Sequence, residues 1–190
     1  MPRDLNSYRL VNTAALGARY HTPNLCNQPY SGNQMFVLKD LMYATPYVFP
    51  EGGTVRALWC DGMSVAAHKL ALYYNTTDGD LYPGAILADF GESVVPNRPL
   101  TGSVVLPNPG LYWHVAMRPT DSTPTAHYAL RGGIVGAPAT SSWLGVSSDM
   151  LTGYCAFTAP RNYASGFPPG YPLGATRVAE APASAIQVGV

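Results

Sequence analysis

The sequence predicts an all-β protein built as an antiparallel β-sandwich or barrel. Two observations predict it. Gly occurs 19 times and Pro 18 times among 190 residues, and chain-breakers that frequent leave little room for long helices. Between them lie about eight short apolar segments at roughly ten-residue spacing, the pattern of an antiparallel all-β domain. The length fits one domain, with or without tails. A hydrophobic share of 47% supplies a substantial core.

Residues 1–34 lack both helical and strand periodicity. They carry Asn6, Asn12, Asn24, Asn27 and Asn33, prolines at Pro2, Pro23 and Pro29, and tyrosines spaced at Tyr8, Tyr20 and Tyr30. Disordered tails are usually poor in aromatics and rich in charge. An extended arm that docks on a neighbouring subunit or particle, with the three tyrosines as subunit contacts, fits this composition; a disordered tail stays open as the alternative.

From Gln34 the pattern changes, and residues 35–159 read as the β-sandwich body. Met35–Lys39 and Leu41–Tyr43 are short and apolar, and Tyr47–Phe49 follows a proline. Thr54–Cys60 reads as a strand with Val55, Ala57 and Trp59 on one face and Arg56, Leu58 and Cys60 on the other. Ala67–Tyr74 alternates most clearly: His68, Leu70, Leu72 and Tyr74 oppose Lys69, Ala71 and Tyr73. Ala85–Phe90 follows the Pro83-Gly84 turn, and Thr101–Leu106 is ended by Pro107. In Leu111–Arg118 the expected core face is Leu111, Trp113, Val115 and Met117, with Tyr112, His114, Ala116 and Arg118 outside. Thr125–Leu130 and Gly153–Thr158 complete the set.

Residues 160–190 are Gly-, Pro- and Ala-rich and read as an extended C-terminal tail. Phe167–Pro172 suits a proline-stiffened segment, and its Phe167 and Tyr171 are further candidates for subunit contact. Ala185–Val190 alternates again and could add a strand to a sheet edge on this chain or another.

Composition narrows the function. Charged residues are 12%, and 11 basic residues cancel 11 acidic ones. An electrostatic nucleic-acid binder needs a clear basic excess, and so does a polybasic membrane-surface protein. No run approaches the roughly 20 apolar residues of a membrane span. No apolar stretch follows Met1-Pro-Arg3, so no signal peptide is expected. Cys26, Cys60 and Cys155 form an odd, widely spaced set that reads as buried reduced thiols, which points to synthesis in a reducing cytoplasm. Low charge combined with 13 tyrosines also marks interface cores. Much of the surface is therefore expected to be covered by partner chains; a neutral monomer kept soluble by Ser, Thr and Asn is the alternative.

Catalytic signals are weak. His21, His68, His114 and His127 are scattered, and no GxSxG, HExxH or Walker loop occurs. The chain is read as a non-enzyme with no catalytic residue, cofactor or metal. Asp78, Asp80 and Asp89 flank one loop and could offer oxygen ligands to calcium, but the EF-hand pattern is incomplete and a solvated turn is the simpler reading. Aromatic rings stack on sugars, which makes Tyr112 and His114, with Arg118 beside them, and the loop rings Tyr82 and Trp143 candidate carbohydrate-binding residues. The opposed reading packs these rings under the arm, the tail or a partner chain.

Four pieces in order carry a family resemblance: Arg56-Ala-Leu-Trp59, Leu70-Ala-Leu-Tyr-Tyr-Asn75, Tyr82-Pro-Gly-Ala-Ile-Leu-Ala-Asp89 and Gly110-Leu-Tyr-Trp-His-Val-Ala116. The stretch resembles the jelly-roll modules of tailed-bacteriophage virion proteins, including head and tail fibres and minor structural proteins, which are similar to carbohydrate-binding sandwiches. The resemblance covers a third of the chain or more and leaves both ends unmatched. It implies a jelly-roll β-sandwich in a homo-oligomer, often a trimer, and brings no catalytic residues. The expectation is thus a non-enzymatic virion structural protein, made in the host cytoplasm and associated with capsid or tail. Its partners would be itself, other virion proteins and a host-surface glycan. A soluble carbohydrate-binding module is the alternative.

Overall fold

The computed structural model describes residues 11–13, 18–21, 29–30, 38–49, 52–60, 67–78, 81–95, 98–120, 129–131, 156–178, 180–182 and 184–189. These residues form strands β1 (Val11–Thr13), β2 (Ala18–His21), β3 (Pro29–Tyr30), β4 (Leu41–Phe49) and β5 (Gly53–Cys60). There follow β6 (His68–Asn75), β7 (Pro83–Ser93), β8 (Leu100–Leu106), β9 (Gly110–Met117) and β10 (Ala129–Arg131). The last are β11 (Ala156–Pro160), β12 (Thr176–Val178), β13 (Glu180–Pro182) and β14 (Ser184–Gly189), with a 3-10 turn at Tyr163–Ser165. The fold is all-β, and every strand pairing is antiparallel. No helix of the described residues is long and apolar enough to cross a membrane.

Six strands form one sheet in the order β12-β11-β4-β9-β6-β7, and five form another in the order β1-β2-β14-β5-β8. A small third sheet runs β13-β10-β3. Between β4 and β9 the chain passes back and forth between the two larger sheets, because β5 and β8 belong to one and β4, β6, β7 and β9 to the other. The two are tied by a shared apolar layer. Tyr43, Tyr47, Phe49, Leu70, Leu72 and Tyr112 come from the six-stranded sheet; Val55, Leu58, Leu100, Leu106 and Ile186 come from the five-stranded sheet. This is a sandwich-like arrangement, with one face of each sheet removed from water.

Several strands differ from their sequence reading for local reasons. Leu41–Tyr43 and Tyr47–Phe49 are one strand that runs through Pro46. β11 pairs with β4 only over Leu41–Ala44, so Pro46 lies beyond that pairing, on a locally unpaired edge among the described residues. Such a position tolerates a missing N–H. Against β14, β5 carries an extra residue at Arg56, between Val55 and Ala57, a β-bulge that changes which residues face inward; against β5, β8 is itself bulged at Gly102–Ser103. Val55, Leu58 and Cys60 therefore share the inter-sheet core, while Arg56 stays exposed and Trp59 packs in a separate small cluster. β6 keeps the alternation expected for it, with Leu70 and Leu72 toward the inter-sheet layer and Ala71 and Tyr73 on the opposite face.

β9 corrects a larger expectation. Tyr112, His114, Ala116 and Arg118 are not on a solvent face; all four are buried. Tyr112 and Ala116 belong to the layer between the sheets. Trp113, Val115 and Met117 are also buried, but on the other face of the six-stranded sheet. Both faces of β9 are dry because something covers the outer one.

That cover is the C-terminal region. Residues 161–175 lie on the outer face of the six-stranded sheet, bringing Tyr163, Phe167 and Tyr171 against Met42, Tyr73, Trp113 and Phe157. The chain then pairs with β11 as β12 and enters the five-stranded sheet as β14, between β5 and β2. Residues 160–190, expected as an extended tail, supply a cover, an edge strand and an interior strand of this chain's own sheets. At the other end, the backbone of residues 18–21 in the expected arm pairs with β14.

Candidate functional site

Two groups of polar and aromatic side chains stand out, one on each side of the six-stranded sheet. The first is the clasp between the sheet and residues 161–175. Alternation puts Tyr73 of β6 and Trp113 of β9 on the outer face, paired across the strands. Large rings there would leave polar atoms stranded unless each finds a partner. Each does. The Tyr73 hydroxyl donates to the Pro168 carbonyl at 2.7 Å, and the Trp113 Nε1 donates to Asn75 Oδ1 at 3.0 Å. The same Asn75 oxygen accepts the Tyr82 N–H at 3.2 Å. Tyr171 directs its hydroxyl to the Met42 and Phe157 carbonyls, at 3.2 and 3.3 Å. Tyr82 donates to the Pro172 carbonyl and accepts from the Ala175 N–H.

Ring contacts reinforce the clasp. Tyr82 meets Phe157 edge-on with centroids 4.9 Å apart, and Tyr171 meets Tyr73 at 5.8 Å and 88°. Such geometry matches ring edge to ring face and adds to area burial. Burial raises the ionisation range of Tyr73, Tyr163 and Tyr171 well above that of a free phenol, so each remains a hydrogen-bond donor in alkaline solution.

A charged latch closes one end. The Lys69 Nζ donates to the Tyr163 carbonyl at 3.0 Å and lies 4.4 Å from the centre of its ring. The Tyr163 hydroxyl donates to Glu92 Oε1 at 2.9 Å, and its N–H donates to Asp40 Oδ1 at 2.8 Å. Removing Asn75 should test how much the clasp depends on one acceptor. Asn75→Ala leaves the Trp113 indole N–H without its acceptor and is expected to cost about 1–3 kcal/mol, read as a lower urea midpoint with an unchanged slope.

The second group lies between the sheets. His114 is 1% exposed, and its Nε2 has no hydrogen-bond partner among the described residues. It sits between Thr45 of β4 and Leu72 of β6 in the register of the sheet, with the Tyr47 ring 6.1 Å away. The Tyr47 hydroxyl shares a 2.8 Å hydrogen bond with Ser184 Oγ of β14, so a polar contact joins the two sheets. Toward the start of β6, His68 is fully buried and its Nε2 donates to the Arg98 carbonyl at 3.2 Å. Arg118 is also fully buried, just past the end of β9. Burial first, with a smaller contribution from His68, lowers the His114 pKa from 6.5 to about 3. It is therefore neutral at physiological pH.

The proposed sugar-contact residues can now be placed. Tyr112 is buried, with its hydroxyl donating to the Asn108 carbonyl at 2.7 Å, and His114 is enclosed between the sheets. Tyr82 is partly buried and committed to the clasp. None of the three offers an open ring platform, because each ring is used in packing this chain. Trp143 lies outside the described residues. Of the proposed subunit contacts, Tyr171 is buried and Phe167 half-buried against this chain's own sheet. Tyr8 lies outside the described residues, and Tyr20 and Tyr30 are described only as backbone, in β2 and β3. Asn75, Glu92 and Tyr163 were not singled out from the sequence. The contacts of Asn75 with Trp113, Glu92 with Tyr163 and Tyr163 with Asp40 span 38, 71 and 123 residues of chain, and no local pattern signals them. Among the described residues no group of three or more His, Cys, Asp or Glu could hold a metal.

What faces water differs in kind. On the β7–β8 side the chain exposes Val94 (75%), Val95 and Val105 (64%). Among the described residues β8 pairs with β5 on one side, and the Nη1 of exposed Arg56 donates to Ser103 Oγ at 2.9 Å. Charged Asp89, Glu92 and Arg98 are exposed along the same stretch of chain.

Comparison with protein-family models, curated proteins and solved structures finds no match to this chain.

Proposed function

We propose that this chain is a non-enzymatic structural subunit of a bacteriophage virion, a jelly-roll component of capsid or tail that associates with copies of itself and with other virion proteins. The observation that carries this reading is the exposure of Val94, Val95 and Val105 in and beside β7 and β8, on a protein with 12% charged residues. A surface of this kind is a liability on a solitary soluble protein and an asset in an assembly. The four-piece resemblance and the passage of the chain between two facing sheets support the jelly-roll assignment. The polar groups of the described interior support the structural role, since they join sheet to sheet and cover to sheet. Glycan contact draws no support from Tyr82, Tyr112 or His114, whose rings are taken up inside the chain.

Quantitative mass spectrometry of purified particles tests the proposal. The chain should be present at a fixed copy number per particle, high for a capsid decoration and low for a tail part. Its absence from particles made by cells that express it would end this reading.

A further inference from the structure

We propose that residues 161–166 form a flap that opens as one piece while both sheets stay folded, and that Asp40, Lys69 and Glu92 hold it shut through Tyr163. The flap is bonded to itself. The Ser165 N–H donates to the Asn162 carbonyl and the Gly166 N–H to the Tyr163 carbonyl, both at 3.1 Å. Asn162 Oδ1 accepts the Ala164 N–H at 2.8 Å, and the Arg161 guanidinium donates to the Gly166 and Ser165 carbonyls at 2.8 and 3.2 Å. These bonds all lie within the segment, so it can move without losing its own shape. Gly166, at φ 64°, closes it in a conformation that favours glycine. β11 ends just before it, at Pro160.

Its attachment to the body is narrow. Of its side chains only that of Tyr163 is buried, while Asn162, Ala164 and Ser165 are exposed. The backbone and hydroxyl of Tyr163 meet charged side chains from separate elements: Asp40 just before β4, Lys69 of β6 and Glu92 of β7. Asp40 is the pin. It sits at φ 53°, a left-handed conformation that Asp tolerates better than most residues. There its carbonyl accepts the Arg161 N–H at 2.8 Å, its carboxylate accepts the Tyr163 N–H, and its own N–H donates to the Arg118 carbonyl at 3.2 Å. Residues 167–175 are fastened differently. They set Phe167 and Tyr171 against the aromatic face and exchange backbone bonds with β7, from the Ile86 N–H to the Pro169 carbonyl and from the Tyr171 N–H to the Gly84 carbonyl, both at 2.9 Å. Those ties do not pass through Tyr163 and persist when the flap lifts. Moving segments are drawn from the parts of a protein with few buried apolar contacts, and the flap has one buried side chain. Its opening would present the Lys69 ammonium with the Asp40 and Glu92 carboxylates at the uncovered end of the six-stranded sheet.

Hydrogen exchange of the full chain, read amide by amide by NMR over a series of low urea concentrations, tests this. The Arg161 and Tyr163 amides should exchange at rates that barely respond to urea, because lifting the flap exposes little surface. Amides of β4 and β9 should follow the steep urea dependence of global unfolding. Asp40→Gly keeps the left-handed backbone and the carbonyl that Arg161 bonds but removes the carboxylate; Tyr163→Phe removes the hydroxyl that donates to Glu92. Each should speed exchange at the Arg161 amide about tenfold. Asp40→Asn, which keeps an acceptor, should leave it within about threefold of the wild type. Arg161 and Tyr163 amides that exchange only with global unfolding would overturn the flap. An Arg161 amide that ignores both Asp40→Gly and Tyr163→Phe would overturn the charged groups as its fastening, as would an Asp40→Asn protein that exchanges as fast as Asp40→Gly.

Discussion

Deleting residues 161–190 is expected to leave no folded protein. The segment looks dispensable by composition, yet it includes β14, an interior strand of the five-stranded sheet. Its loss would strip Ile186 from the core and the Ser184 partner from Tyr47. It would also bare Met42, Tyr73, Trp113 and Phe157 on the outer face. Each large apolar side chain returned to water costs roughly 1.5–3 kcal/mol. A domain typically has only about 5–15 kcal/mol of stability in all, so the loss of Tyr163, Tyr171 and Ile186 and the exposure of their partners exceeds it. Expression of residues 1–160 with far-ultraviolet circular dichroism and a melting curve checks this. A soluble truncated chain that melts cooperatively would show that the cover and β14 are accessories.

Acid should weaken the protein through His114. Its folded pKa, about 3, lies below the unfolded value of 6.5 because burial disfavours the imidazolium. Between those values the unfolded chain binds the extra proton and the folded chain does not. Stability from this group is therefore full above pH 6.5 and declines as pH falls toward 3. The loss is on the order of a few kcal/mol across that window. The neighbours of His114 include the Tyr47 ring of β4, 6.1 Å away, and His68 of β6, whose charge also disfavours the imidazolium. Urea titrations at pH 7 and pH 4 should show a larger acid loss for the wild type than for His114→Gln, which cannot titrate. Equal losses in the two proteins would mean that His114 is hydrated or paired.

The sequence revealed strands more readily than faces. β6 could be read correctly because its alternation is uninterrupted and both its faces are apolar. β9 alternates as well, but periodicity only divides residues into two sets. Which set is dry depends on what lies above, and here both are covered. Tyr112 looked polar, yet a tyrosine is largely hydrocarbon and needs one acceptor, which the Asn108 carbonyl supplies. The bulge in β5 was invisible because one extra residue shifts the facing without changing composition. The C-terminal cover was hidden for a different reason. Pro and Gly suppress regular structure, but they do not prevent Tyr163, Phe167 and Tyr171 from binding an aromatic sheet face. The contacts that identify it join residues about 95 positions apart, such as Tyr73 to Pro168, and no window of sequence contains them.

Hydrogen exchange of the full chain, followed by peptide over a range of protein concentrations, tests the central claim most directly. The claim is that the C-terminal residues belong to the body of the fold. The account predicts that β14 amides exchange as slowly as those of β4 and β9 at every concentration. Rapid exchange in β14 would contradict it.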